Sequence, residues 1–286
     1  SYTRLANIAL GGNIPKVVMS IVPIRGIALK KKPSGLRPIG VPALLDGVIT
    51  RAISMRKKKE FQAKVQELCP PQQALAPRGT EIAAHAVRDY IREHSYPGSK
   101  KALLLIDLTN CFNLLNRSWF VPIFKEQFPD IYRYIYANYS RGRQVNYAHV
   151  FILILIGLLQ GCGLAPLACA LCLASLFSFI DKRIRRDDPG AMSVAVVDDL
   201  TLCADEKVAV EAAKEFKALG PAYGGFLNAP KTIVAGLDPI ATVPPATLEG
   251  AKRVMISEGF DVGSSPGVNG ARLLGSPMGP EDYCSK

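Results

Sequence analysis

Between Ala195 and Cys203 the run AVVDDLTLC sets two neighbouring carboxylates, Asp198 and Asp199, inside an otherwise apolar stretch of strand character. Burying one such charge costs on the order of several kcal/mol. A chain that keeps the pair must therefore give it water, a counter-charge or a cation. Upstream, KALLLIDLTNCFNLLNR from Lys101 to Arg117 places a single carboxylate, Asp107, at the exit of a Leu and Ile run. Laid side by side, the two strands would collect three carboxylates, and hard oxygen donors of this kind suit Mg2+. Taken alone, an Asp-Asp pair reads more readily as two solvated turn acids. The other segments of the chain, and their order, decide between the two.

Bulk properties narrow the partner. A 286-residue chain that is 49% hydrophobic can bury a full core, as one large domain or two smaller ones. The net charge of +11 favours a polyanion, nucleic acid before an anionic membrane surface, because Lys and Arg displace counterions from phosphate backbones. Seven cysteines, Cys69, Cys111, Cys162, Cys169, Cys172, Cys203 and Cys284, are odd in number and scattered through apolar segments. That is unlike a secreted disulfide framework and fits a reducing, intracellular compartment, with nuclear and organellar not distinguished. Cys169 and Cys172 read as core packing rather than as half of a zinc site. The N-terminus has no cleavable secretory pattern. From Gln144 to Ile180 there is no charged residue, but Gly157, Gln160, Gly161, Gly163 and Pro166 break the stretch into a strand-like VFILILI and a helix-like LACALCLASLFSFI. Each is too short to cross a bilayer, so a buried strand, loop and helix are expected, and no membrane.

In chain order, VPIRGIALKKKPSGLRPIGVP predicts a hairpin turning at Pro33, Ser34 and Gly35, with Lys30 and Arg37 on its two arms. A basic hairpin of this kind either reaches a phosphate chain or is simply solvated. A helix through Val48 to Lys59 presents a wet basic face, and a second opens at Thr80 and Glu81 and closes at Pro97 and Gly98. His85 and His94 are assigned no role. After the Asp107 strand, helices are expected through Trp119 to Phe124 and Ile131 to Tyr139. Tyr132, Tyr134, Tyr136 and Tyr139, with Arg133, Arg141 and Arg143, either stack on bases or pack inward. GLLQGCGLAPL, Gly157 to Leu167, joins apolar strand to apolar helix through a glycine-rich loop that lets backbone approach a ligand, with the Gln160 amide beside it. KRIRRDDPG, Lys182 to Gly190, reads as an exposed loop. The amphipathic helix after Asp205 buries Val208, Ala212, Phe216 and Leu219 and ends at Gly220 and Pro221.

This ordered series resembles the reverse transcriptases of the non-LTR retrotransposon type. ALKKKPSGLRPIGV is similar to their fingers hairpin, PQQALAPRGTE to their template-side segment, and LLLIDLTNCFNLLNR to their first palm motif. GLLQGCGLAPL resembles the loop under the nascent base pair, AVVDDLTLC the metal-binding hairpin, FLNAPKT the strand with a basic residue near the leaving pyrophosphate, and LLGSPMG the segment between palm and thumb. The likeness runs from about Gly11 to Gly279. The resemblance implies an α+β fold, a right hand of fingers and palm, with the palm an antiparallel sheet backed by helices in split βαβ style. It implies fingers over 1–100, a palm over 101–238 with a fingers-side helical insertion at about 115–150, and a palm end over 239–286 leading toward a thumb that is expected to be absent.

By the same resemblance, Asp107, Asp198 and Asp199 would hold two Mg2+ ions, or Mn2+ in their place, roughly 3.5 to 4 Å apart. Lys30 and Arg37 would clamp the phosphates of a deoxynucleotide, Phe112 would gate against a 2'-hydroxyl, and Gln160 and Gly161 would line the base and sugar. Gln73 and Gly79 would bear on the template, and Lys231 would assist the leaving group as a fourth catalytic residue. The implied partners are an RNA template, a primer and deoxynucleotides, and the implied activity is RNA-templated DNA synthesis. The sequence departs from the pattern at Val196 and Val197, where an aromatic and a small residue are usual, and at Cys162 and Gly163, where Asp-Pro or Ser-Pro is frequent. Only seven residues follow LLGSPMG. The alternative expectation is a catalytically silent module derived from such a polymerase, acting as an RNA-binding or structural subunit of a large ribonucleoprotein.

Overall fold

The computed structural model describes residues 2–12, 24–30, 36–147, 150–241, 252–256, 271–274 and 276–278. Its elements form two compact units, each drawn from three separated stretches of chain. One comprises Ser1–Lys64, Asn110–Cys172 and Ala222–Gly225, the other Val65–Thr109, Leu173–Pro221 and Phe226–Lys286. The units therefore interleave; residues 65–109 lie in the second unit with the Asp-bearing strands, and residues 110–172 lie in the first.

The first unit holds α1 (Tyr2–Leu10), β1 (Ile24–Lys30), β2 (Leu36–Val41) and α2 (Leu44–Leu68) as far as Lys64. It continues with α4 (Cys111–Leu114), α5 (Arg117–Gln127), α6 (Pro129–Tyr139), β4 (Arg143–Tyr147), β5 (Val150–Ile154) and the start of α7 (Ala165–Asp187). Its sheet runs β2-β1-β4-β5, antiparallel except for the parallel β1–β4 pair. The expected hairpin is present, with Lys30 across from Leu36; its turn at Pro33 to Gly35 lies outside the described residues. The helices close on an aromatic core in which Phe61 stacks on Phe128 at 4.1 Å and meets Phe124 at 5.7 Å. Tyr134 and Tyr139 are buried in this core, so they are packing residues and not a stacking platform; Tyr136 stays exposed. The Tyr134 hydroxyl donates to Asp46, whose other oxygen takes both Arg143 terminal nitrogens at 3.1 Å.

The second unit is built on β6 (Met192–Val196), β7 (Asp199–Asp205), β3 (Lys101–Ile106), β8 (Ile233–Gly236) and β9 (Lys252–Met255), hydrogen-bonded in that order. The pairings are antiparallel except β8–β9, which is parallel, so the sheet is mixed and not the antiparallel sheet expected. The departure arises because β9 enters beside β8 in the same direction, in a part of the chain without strand alternation clear enough to read. A separate antiparallel pair, β10 (Ala271–Leu273) and β11 (Ser276–Met278), adds Ala271, Leu273 and Met278 to the core. One face of the sheet packs α3 (Gly79–His94) through Ala83, Val87, Tyr90 and Ile91 against Leu103, Val194, Cys203 and Ala235. The alternate residues Leu104, Leu202 and Val234 are buried too, so both faces are covered, at roughly 1.5–3 kcal/mol per buried aliphatic side chain. Ser193 Oγ donates to Asp181 Oδ1 at 2.8 Å and ties α7 to β6, while Phe177 meets Phe216 of α8 (Glu206–Tyr223) at 6.1 Å.

Two helix ends differ from expectation. Lys182 to Asp187 is not a loop but the last turns of α7. Ile184 is fully buried, and Arg185–Asp181 and Arg183–Asp187 pair one turn apart, which supports helix through a highly charged segment. At 23 residues α7 thus has the length and composition of a membrane span, but 78% of its apolar window is buried in protein. The helix α8 runs through Pro221 to Tyr223 with Leu219 exposed; Ala209, Ala213 and Gly220 line its buried face with Ala212 and Phe216. The cysteines Cys69, Cys111, Cys162, Cys169, Cys172 and Cys203 are free thiols buried in apolar surroundings, and Cys169 with Cys172 serves the core.

Candidate active site

In the second unit, strand pairing brings the acidic strand ends together. Ile106 lies across from Leu200, so the next residues along, Asp107 and Asp199, sit opposite each other at the same sheet end. Val196 pairs with Asp199, leaving Val197 and Asp198 as a two-residue hairpin turn. AVVDDLTLC is thus a hairpin, as its resemblance implies: a strand, a turn and a strand, with one carboxylate in the turn and one just past it. Val197 is left-handed, φ +59°, which is rare for a β-branched residue.

The neighbouring turn grips Asp107. Asn228 Nδ2 donates to Asp107 Oδ2 at 2.8 Å and Asn228 N donates to the Asp107 carbonyl at 2.8 Å. The Asp107 amide faces Thr232 Oγ1 at 3.4 Å, and that fully buried hydroxyl donates to the Asn228 carbonyl at 3.0 Å. Lys231 is exposed in this turn, three residues from Asn228, at the entry to β8. Asp199 keeps solvent contact, yet the protein crowded around its carboxyl, and then the charges of Asp198 and Asp107, push its pKa up to about 6.

Among the described residues no three His, Cys, Asp or Glu side chains are drawn into a ready-made metal cage. The three carboxylates nonetheless fit a hard divalent cation in the chemistry of their donors. They are oxygen-only, they share one sheet end, and the burial and mutual repulsion that raise Asp199 are what a cation would relieve. Gln73 and Gly79 lie in the same unit. The Gln73 amide donates to the Ala195 carbonyl at 2.7 Å, and a Cβ on Gly79 would come within 1.8 Å of the Gln73 carbonyl, so the two close one tight turn beside β6.

In the first unit, Phe112, Gln160, Gly161 and the end of β2 are assembled. Leu158 N donates to the Phe112 carbonyl at 2.5 Å, and Gly40 N donates to the Gln160 carbonyl at 2.7 Å. Gly161, at φ +109°, has the Gly40 carbonyl 2.6 Å from where a Cβ would stand, so only glycine fits. Gln160 Oε1 is buried without a hydrogen-bond partner among the described residues. Lys30 and Arg37 are exposed on the hairpin. Their partners across it are Leu36 and Leu29, so alternation sends the two charges to opposite faces until the strand ends at Lys30. Buried Arg117 fastens the assembly, giving Nε to the Gly157 carbonyl at 2.9 Å and Nη1 to the Arg141 and Ile154 carbonyls at 2.9 and 3.3 Å.

Asn228 and Gln72 were not singled out from the sequence. Asn228 lay in view within FLNAPKT, but its partner is 121 positions away. Gln72, beside Gln73, carries no sequence mark that separates it from its neighbour.

The second unit carries a mixed sheet with acidic ends on adjacent strands, and the first a basic hairpin and a Gln-Gly loop, which are the parts of a template-directed polymerase. The chain matches the family described as reverse transcriptase (RNA-dependent DNA polymerase) over residues 29–243, three quarters of its length, and it belongs to that family. A search of curated protein sequences returned no match. Among solved structures it is similar to telomerase from Candida albicans in complex with a fragment of telomeric RNA, at TM-score 0.57 and 14% identity over 83% of this chain and 45% of that one. It is also similar to apo telomerase from Candida tropicalis, at TM-score 0.57 and 13% identity over 93% and 48%. At such identities the likeness is one of fold. The chain spans about half the length of the telomerase chains it matches.

Proposed function

We propose that the chain is a reverse transcriptase of the non-LTR retrotransposon type, with fingers in the first unit and palm in the second, extending a primer with deoxynucleotides on an RNA template. The observation that carries the reading is the meeting of Asp107 with Asp198 and Asp199 at one sheet end, set by the pairing of β3 with β7 and of β6 with β7. Two bound Mg2+ ions would supply charge neutralisation and a more nucleophilic primer hydroxyl. Asn228 fixes which Asp107 oxygen is turned inward, and Lys231 gives the leaving pyrophosphate a proton or a positive charge. The hairpin brings one of its two cations, Lys30 or Arg37, to the triphosphate, Phe112 excludes the 2'-hydroxyl, and Gln160 and Gly161 line the base and sugar.

The test is primer extension. The 286-residue chain, supplied with Mg2+ or Mn2+, primed RNA and deoxynucleotides, extends the primer, and Asp198→Ala abolishes extension. Absence of product, both from the chain itself and from the chain fused to a helical thumb, rejects the reading. One observation favours a second reading, a silent RNA-binding or structural subunit of a ribonucleoprotein: Val196 and Val197 precede the Asp pair where an aromatic and a small residue are usual. Mn2+-induced relaxation of resonances around Asp107 and Asp198 separates the two, since the silent module binds RNA without it.

A further inference from the structure

We infer that Gln72 is a positioning residue for the Asp198–Asp199 pair, holding the turn that carries the pair through the backbone of Val197. Its catalytic consequence rests on the polymerase reading above.

Val197 is one of two residues in a tight hairpin turn and stands at φ +59°. In that region the Cβ of an L-residue crowds the backbone, and branching at Cβ worsens the crowding. A turn of this shape is kept only if something outside it holds the backbone there. The Gln72 side chain does so with both ends of its amide. Its Oε1 accepts from Val197 N at 2.9 Å, and its Nε2 donates to the Val197 carbonyl at 3.0 Å. Both main-chain polar groups of the strained residue thus end on one side chain, and Oε1 also takes the Ala74 amide at 3.1 Å.

The clamp itself stands on a fixed base. Gln72 is 1% exposed. Its backbone runs along the outer edge of β6, where Ala195 N donates to the Pro71 carbonyl at 3.0 Å and Gln73 N to the Ala195 carbonyl at 2.7 Å. Pro71 to Gln73 therefore makes an isolated parallel bridge to β6 beside the Asp198–Asp199 hairpin, and Gln72 reaches from it over the tip. Chemistry restricts the position to glutamine. Glutamate can accept from Val197 N but cannot donate to its carbonyl, leucine can do neither, and asparagine is one methylene short. Val197 is followed directly by Asp198, so release of its amide and carbonyl lets the first carboxylate of the pair swing, and displacements of about 1 Å at a reacting centre reduce rate by up to about a hundredfold.

The test uses the whole chain with Gln72→Leu, Gln72→Glu and each combined with Val197→Gly. Glycine adopts the left-handed conformation without strain, so it substitutes for the clamp rather than for its packing. Gln72→Leu is expected to lower kcat for primer extension about tenfold or more, with KM for the deoxynucleotide changed less than about threefold, as for an interaction acting on the reacting geometry. Adding Val197→Gly to either variant restores most of the lost kcat. Gln72→Glu, close to isosteric and expected to fold, gives a smaller loss, because one of the two hydrogen bonds remains. A rise in KM alone, or failure of glycine to rescue, overturns the inference. Amide hydrogen exchange at Val197 separates this from the fate of the polymerase reading. Should the unmodified chain make no product, a Val197 amide protected in it and released in Gln72→Leu still establishes the clamp, whereas an amide that exchanges freely in the unmodified chain overturns it.

Discussion

Asn228 shows how much one neutral side chain decides at a carboxylate centre. Its amide fixes one oxygen of Asp107, and a hydrogen bond to a charged group contributes about 1.5–3 kcal/mol. Asn228→Ala is expected to lower kcat about tenfold while leaving the melting temperature within a few degrees, as measured by primer extension and calorimetry. Asn228→Asp sets a fourth carboxylate against Asp107 and is expected to cost more, with a higher Mg2+ concentration needed for half-maximal extension. Gly79 is a case in which the cost is purely steric. Any Cβ there would overlap the Gln73 carbonyl, so Gly79→Ala should destabilise the chain by about 2 kcal/mol or more in urea unfolding. Gly163→Ala, whose Cβ would find its nearest neighbour at 3.5 Å, should change stability far less.

Among the elements, β3, β7 and the end of α7 meet at a buried ion pair at the sheet end opposite Asp107. Lys101 Nζ lies 2.8 Å from Asp188 Oδ2, which also takes the Asp205 amide at 2.8 Å. Burial would raise the Asp188 pKa, but the Lys101 hydrogen bond, the Asp205 and Gly190 amides and the lysine charge outweigh it and hold the carboxyl below its usual range. Burial works against the Lys101 ammonium, and Asp188 and Asp205 more than offset it, so its pKa is raised. A depressed carboxylate adds stability above its unfolded pKa and loses it as pH falls through the folded one. A raised lysine adds stability below its unfolded pKa and loses it as pH rises through the folded one. The pair therefore stabilises a plateau across neutral pH. Asp188→Asn should remove about 3–5 kcal/mol there and flatten the acid limb of a stability-versus-pH curve. The same elements mark the limits of sequence reading. Asp107, Asp198 and Asp199 were legible because charge interrupts apolar strand runs, and the Gln160 loop because its glycines do. The charged end of α7 misled because Lys182 to Asp187 has loop-like composition, while its helix depends on pairs one turn apart. The parallel entry of β9 and the reach of Gln72 to Val197 depend on long-range pairing, which leaves no local periodicity.

On the scale of the molecule, the +11 charge and the apolar edge of the first sheet pull toward different partners. Against the expectation of a buried strand at VFILILI, Val150, Phe151, Ile152, Leu153, Leu155 and Ile156 are all exposed on or just beyond β5, which among the described residues has no strand on its outer side. Such an edge templates association, and a single lysine is the usual guard against it. Leu153→Lys should raise the concentration at which the chain stays dispersed in light scattering, without lowering its melting temperature. RNA binding should weaken linearly in log Kd against log salt, with the slope reporting the phosphates engaged. The braided order of the two units carries a further consequence. Because each takes its residues from three stretches, no single cut frees either one intact. A recombination event that grafted half of this gene onto another would deliver two incomplete bodies, so inheritance of this architecture has to be all or nothing.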